Sequence, residues 1–288
     1  MPKAAYEHIG KFQVKRIIRS TGSSDLYECV DPDLQTRVAV KVFNPKERLL
    51  IALPYSIDNW RVRFMREARI LAKIDHPHVI SVRELSYIED KPFYVMPYIE
   101  TNLLYEMGKD AGTEGYAPEL KDAPGPRKLS IKRSVEILFQ MSSGLAAFHG
   151  RGLVHRDIKP GNVLLTKMGG GLVKLCDPGL MKAPESEESL AGYWVGTVDY
   201  LSPEQRRSAT DVDARADVYA LGVLGYRMLT GELPGGVFSG PKADVPEIPD
   251  ALNDMIMCAM SRKIKKRQLS ALDFLRQISP IRAQIRGT

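Results

Sequence analysis

Long apolar runs are missing from this chain. None approaches the roughly 18 residues that a membrane-crossing helix needs, and residues 1–10 carry charge where a secretory signal would have an apolar core. Cysteine is scarce. The three present, Cys29, Cys176 and Cys258, are odd in number and far apart, which fits neither a zinc spacing nor a disulfide framework. The expectation is a cytoplasmic chain with reduced thiols and no membrane segment. No internal repeat or low-complexity tail is present. The surplus of positive charge is modest, +6 over 288 residues. It suits acidic ligands such as nucleotides and equally a plain solvated surface. A nucleic-acid role would rest on the cluster 262–267 alone, more simply read as a solvated helix end, so no nucleic-acid partner is expected. An apolar content of 44% allows a large core and two lobes.

What is there falls into two styles. Residues 11–19, 26–31 and 37–43 read as strands. In the third, Val38, Val40 and Val42 alternate on one face, while Ala39 and Lys41 share the other. Residues 45–55 look like an extra segment. Asp58 and Asn59 look like caps of a helix running to about Ile74, ended by His76 and Pro77. Its apolar stripe, Phe64, Ala68 and Leu71, includes Glu67. An inward carboxylate needs a partner, and Lys41 is the candidate. Strands are expected over residues 79–88 and 92–98, and a loop or insertion over 108–128. The remainder reads as helical, with Ile131, Val135, Leu138, Leu145 and Phe148 at helical spacing. A strongly apolar helix over 217–230 ends at Gly231, and Ser270 caps a last helix through Ile278. The fold class is therefore α+β: an antiparallel-sheet lobe with one helix over residues 1–97, then a mainly helical lobe over 98–288.

The chemistry concentrates in His155-Arg156-Asp157-Ile158-Lys159-Pro160-Gly161-Asn162. An apolar strand follows, then a turn and a returning strand that ends at Asp177. A hairpin of that length brings Asp177 back beside Asn162. Two oxygen ligands there can hold Mg²⁺, which takes few protein oxygens along with phosphates and water.

In order and content these motifs resemble a eukaryotic-like (Hanks-type) serine/threonine protein kinase of bacterial style, over residues 11–278. The resemblance implies a bilobal protein-kinase-like fold that uses ATP and Mg²⁺ to phosphorylate Ser/Thr of protein substrates, itself included. It allows a homodimer through the N-lobe. It implies that Lys41 binds the α and β phosphates and pairs with Glu67, that Asp157 is the base, and that Lys159 steadies the γ-phosphoryl charge. Asn162 and Asp177 would hold the metal. Ile18, Leu26, Ala39 and Leu164 would sandwich adenine, with Met96 at the gate and Pro97 and Ile99 supplying hinge carbonyl and N–H. Glu204 would pair with Arg267, Asp217 would anchor the catalytic loop, and Thr197 would bond Asp157. Arg156 would receive an activation-segment phosphate, with Ser186 or Ser189 as acceptor. His155 reads as a packed loop residue and Cys176 as a small buried one.

Two places depart from the family pattern. The glycine-rich loop has Arg19, Thr21 and Ser24 where three glycines are usual, and Asp177-Pro178-Gly179 replaces Asp-Phe-Gly. These leave open a nucleotide-binding scaffold without transfer activity. A small-molecule kinase is disfavoured by Lys159, Thr197 and Ser202-Pro203-Glu204.

Overall fold

Val38, Val40 and Val42 share one buried cluster with Ile9, Phe12, Tyr27, Cys29, Phe93 and Val95. The computed structural model describes residues 6–52, 56–108, 125–167, 171–179, 198–207, 212–236 and 238–287. The chain forms two compact units. One comprises Met1–Asp75 and Val79–Glu100; the other holds His76–His78, Thr101–Gly179 and the described residues from Val198 onward.

The first unit is an antiparallel sheet of β1 (His8–Ile9), β2 (Phe12–Ser20), β3 (Ser24–Asp31), β4 (Thr36–Phe43), β5 (Glu84–Ile88) and β6 (Lys91–Pro97), in the order β1-β2-β3-β4-β6-β5. The register sets Lys41 opposite Leu26 and Tyr94, and Ala39 opposite Glu28 and Met96. These side chains share the face opposite the valines. Two helices join the sheet, α1 (Glu47–Ala52) and α2 (Ile57–Lys73). Phe64 of α2 lies against Tyr94 and Phe43, with ring centres 5.1 and 5.6 Å apart. The helix starts slightly earlier than the sequence suggests. Ser56, not Asp58 or Asn59, is the cap, its hydroxyl accepting from Asn59 N at 3.2 Å. Asp58 sits in the first turn, where a carboxylate suits the helix dipole. The strand expected from residue 79 begins only at Glu84. Val79 and Ile80 are apolar because they are buried in the core.

The second unit is built on α3 (Leu103–Met107), α4 (Ile131–His149), α5 (Pro203–Arg207), α6 (Ala214–Thr230), α7 (Asp250–Ala259) and α8 (Ala271–Gly287). A small sheet of β7 (Thr101–Asn102), β8 (Val163–Leu165) and β9 (Val173–Leu175) lies beside them. Ser130 caps α4 and Asp213 caps α6, while Gly231 ends α6 in the left-handed conformation, φ 86°. Ser270 caps α8 as expected, but the helix runs past Ile278 and through Pro280. Tertiary contacts outweigh the roughly 3 kcal/mol that an interior proline costs. Ile281 is buried beyond it, and Arg282 and Arg286 reach Glu136 of α4 at 2.8 and 2.7 Å. Residues 262–267 lie between α7 and α8 and hold a short 3-10 helix, Ile264–Lys266. Among the described residues no helix is long and apolar enough to cross a membrane. All three cysteines are free.

Candidate active site

Within the first unit, strand parity and one helix turn build an ion pair. Lys41 Nζ lies 2.8 Å from Glu67 Oε1, with both residues buried. The same oxygen accepts from the Tyr94 hydroxyl at 2.6 Å, and Lys41 Nζ sits 5.7 Å from the centre of that ring. A buried carboxylate is tolerable only with such partners. Tyr94 was not singled out in the sequence, because its placement depends on the β4–β6 register. Ala39 and Met96 are neighbours across β4 and β6, both nearly buried, while Ile18 and Leu26 are half-buried. Pro97 ends β6 opposite Val38, and Ile99 follows it half-buried. Tyr98 accepts from Arg16 at 3.0 Å through its hydroxyl and takes the Arg37 guanidinium over its ring, 4.7 Å from the centre.

Within the second unit, the 155–162 loop is held by hydrogen bonds at each end. Asp217, buried in α6, accepts from the backbone N–H of His155 at 2.7 Å and of Arg156 at 2.8 Å. His149 Nε2 lies 2.9 Å from the same carboxylate, a partner that sequence reasoning missed. Burial pushes this carboxyl up, but His149 and the His155 amide more than offset it, and the pKa falls below the usual aspartate value. His155 is fully buried. Burial lowers its pKa and outweighs Asp217, Asp157 and Asp177, which pull it up. Its Nε2 meets Cys176 O at 3.2 Å, and its Nδ1 accepts from Asp157 N at 3.4 Å, so the neutral Nε2–H tautomer fits the network. The imidazole therefore braces the loop. Cys176 is buried, as expected.

Asp157 is the hub. Its Oδ2 lies 3.0 Å from Lys159 Nζ and accepts from Asn162 Nδ2 at 2.9 Å. Asn162 Nδ2 also donates to Asp157 O. With the amide nitrogen so engaged, Asn162 Oδ1 is buried and has no hydrogen-bond partner among the described residues. An orphaned acceptor of this kind is costly unless a ligand takes it. The strands β8 and β9 pair Val163 with Leu175, and Cys176 N donates to Asn162 O at 3.1 Å. Asp177 thus follows directly on the rung beside Asn162, as the hairpin argument requires. A carboxamide oxygen and a carboxylate in this position suit a hard cation. Arg156 and Asp177 both adopt positive φ, 66° and 51°. Such backbone is uncommon outside glycine and clusters at functional sites.

Leu164 occupies the half-buried face of β8. Arg267 meets Glu204 at 2.9 Å. Gln205, not anticipated from the sequence, donates to Arg156 O at 3.0 Å. Thr197, Ser186 and Ser189 lie outside the described residues.

Comparisons with known proteins agree with this geometry. The protein kinase domain family matches residues 12–284. The serine/threonine-protein kinase pkn2 of Myxococcus xanthus is 36% identical over 237 residues, covering 81% of this chain and 25% of that protein. PrkC of Bacillus subtilis, also a serine/threonine-protein kinase, is 33% identical, covering 81% of this chain and 32% of its own length. The chain thus spans a quarter to a third of these curated relatives. The crystal structure of the Mycobacterium tuberculosis PknI kinase domain superposes with a TM-score of 0.64 at 25% identity, covering 95% of this chain and 97% of that one. The chain belongs to the protein kinase family.

Proposed function

We propose that the chain transfers the γ-phosphoryl group of ATP to serine and threonine hydroxyls of proteins. The observation that carries this is the Asp157 cluster: a carboxylate held between Lys159 and Asn162, on a loop fixed by Asp217. Phosphoryl transfer asks mainly for positioning and charge stabilisation. Asp157 orients the incoming hydroxyl and takes its proton. Lys159 faces the charge on the transferred group. Lys41, steadied by Glu67, binds the α and β phosphates. Ile18, Leu26, Ala39 and Leu164 enclose adenine, Met96 bounds it, and Pro97 O and Ile99 N bond its edge. Asn162 Oδ1 and the Asp177 carboxylate would hold Mg²⁺, which when bound neutralises phosphate charge. Glu204, Arg267 and Asp217 keep the helical unit's framework in place.

Lys159 and Thr197 favour serine and threonine over tyrosine as acceptors. Ser186 or Ser189 is the proposed autophosphorylation site, with Arg156 receiving the phosphate as a charge-assisted pair. The free thiols and the use of ATP support a cytoplasmic setting. A scaffold without transfer would be expected to lack the lysine, the base or a metal ligand, and this chain keeps all of them.

The test is incubation with labelled ATP, Mg²⁺ and a protein acceptor, followed by acid hydrolysis. Labelled phosphoserine or phosphothreonine is expected. Nucleotide binding with no transfer would select the scaffold, and label in a free metabolite alone a small-molecule kinase.

A further inference from the structure

The turn between β2 and β3 has little glycine, yet it is tightly organised. Thr21 N donates to Ser24 O at 2.8 Å, and the N–H groups of Ser24 and Ser23 point at Thr21 Oγ1, at 3.1 and 3.4 Å. The turn is also tied to the chain that follows β4. Asn44 N donates to Ser23 O at 3.0 Å and Lys46 N to Gly22 O at 2.7 Å. Leu49 of α1, in the extra segment seen in the sequence, rests on Gly22; a Cβ there would meet Leu49 Cδ1 at 3.4 Å.

At the root of the turn stands Asp25, 4% exposed. Both its oxygens are 3.0 Å from Lys46 Nζ, Oδ2 accepts from Asn44 Nδ2 at 2.6 Å, and Oδ1 accepts from the Ser20 hydroxyl. A buried carboxylate with this many donors is a fixed point rather than a casual surface pair. The register sets Asp25 opposite Val42 and Leu26 opposite Lys41. The fixed point is therefore one rung along from Lys41 but on the valine face of the sheet, so it bears on the turn through the backbone and not on the ammonium itself.

We infer that Asp25 and Lys46 are positioning residues for nucleotide phosphate binding, latching the β2–β3 turn to the Asn44–Lys46 segment. A glycine-rich turn reaches its ligand through conformational freedom and loses that freedom on binding. A latched turn of Ser and Thr is already ordered, so less entropy is lost when phosphate arrives. The inference rests on the kinase reading and adds to it two residues and the extra segment that bears on them.

The experiment compares wild type with Lys46→Met, Lys46→Arg and Asp25→Asn. ATP affinity, KM for ATP, kcat and melting temperature are measured for each. Lys46 is about one-third exposed, so the methionine variant is expected to fold; Asp25→Asn keeps the shape of the buried group. Loss of the charged bond should weaken ATP binding and raise KM about tenfold. A kcat changed by less than about twofold would mark this as a binding effect, and Lys46→Arg should recover most of it. An active wild type whose ATP affinity and KM are unmoved in Lys46→Met and Asp25→Asn overturns the inference. A lowered melting temperature with unmoved KM does so too, since it describes a structural staple only. If wild type binds ATP without transferring it, the affinities alone decide. A wild type that binds no ATP removes the kinase reading and this inference together.

Discussion

The Tyr94 hydroxyl donates to Glu67 Oε1 at 2.6 Å, the same oxygen that meets Lys41 Nζ. One carboxylate oxygen thus serves two donors from adjacent strands, and the ammonium is held by a helix and a tyrosine together. Tyr94→Phe removes one of these donors and keeps the ring packed on Phe64. The expected cost is about 1 kcal/mol of positioning, a several-fold fall in the rate of transfer. Glu67→Gln should cost considerably more, since it strips the ammonium of its counter-charge. Steady-state rates with labelled ATP check both, and equal rates in Tyr94→Phe and wild type would dismiss the tyrosine's part.

Glu204 and Arg267 carry a stability prediction. The guanidinium of Arg267 has no exposed side-chain surface, and it also donates to Ser261 O and Arg215 O. Removing the carboxylate by Glu204→Ala leaves a buried cation short of its charge partner. A loss of about 3 kcal/mol is expected, read from the midpoint of urea unfolding. A loss below about 1 kcal/mol would mean that the two carbonyls suffice.

Gly144 of α4 is a steric prediction. A Cβ there would fall 2.8 Å from His78 O and 3.0 Å from Leu175 Cδ1. His78 O accepts from Leu175 N, so any displacement is passed to β9 and on to Asp177. Gly144→Ala gains about 1 kcal/mol of helix propensity. It is expected to lose more than that to overpacking, by about 1–3 kcal/mol, and to lower the transfer rate. A variant more stable than wild type would show that His78 yields freely.

Stability should fall with acid in two stages. Burial lowers the pKa of His155 below the usual histidine value. The unfolded chain then takes up protons first, and this contribution is complete above about pH 6.5 and declines as pH drops below it. For Glu136, burial pulls the pKa up, but Arg282, Gln140 and Arg286 hold it down at about 2. Its contribution is complete above about pH 4.5 and is lost as pH falls toward 2. Melting temperatures between pH 8 and pH 3, measured for wild type and Glu136→Gln, check this. The variant should show a shallower lower stage, what remains coming from Asp217 and Glu204, whose pKa values are also lowered, and a flat wild-type profile would contradict both assignments.

The sequence revealed the parts of this molecule whose meaning is local. Alternation in β4, the stripe with Glu67 inside it, and the hairpin that returns Asp177 to Asn162 all follow from periodicity and turn length. Less legible were contacts fixed by pairing register or by distant helices. Tyr94 meets Glu67 only because β6 lies beside β4 in one particular register. His149 and Asp217, or Glu136 and Arg282, are joined by helix packing that no short-range pattern encodes. The run of α8 beyond Ile278 was hidden for the same reason, because the burial of Ile281 and the Glu136 contacts carry the helix through Pro280. The motif order made the family legible all the same, since its spacing spans nearly the whole chain.

The central claim is that Asp157 acts on the incoming hydroxyl while other residues hold the nucleotide. The most direct measurement compares wild type and Asp157→Asn for ATP binding and for phosphate transfer to protein in the same preparation with Mg²⁺. Binding within a few-fold of wild type is predicted, with transfer reduced at least about 10²-fold. Transfer at an undiminished rate in Asp157→Asn would contradict the account.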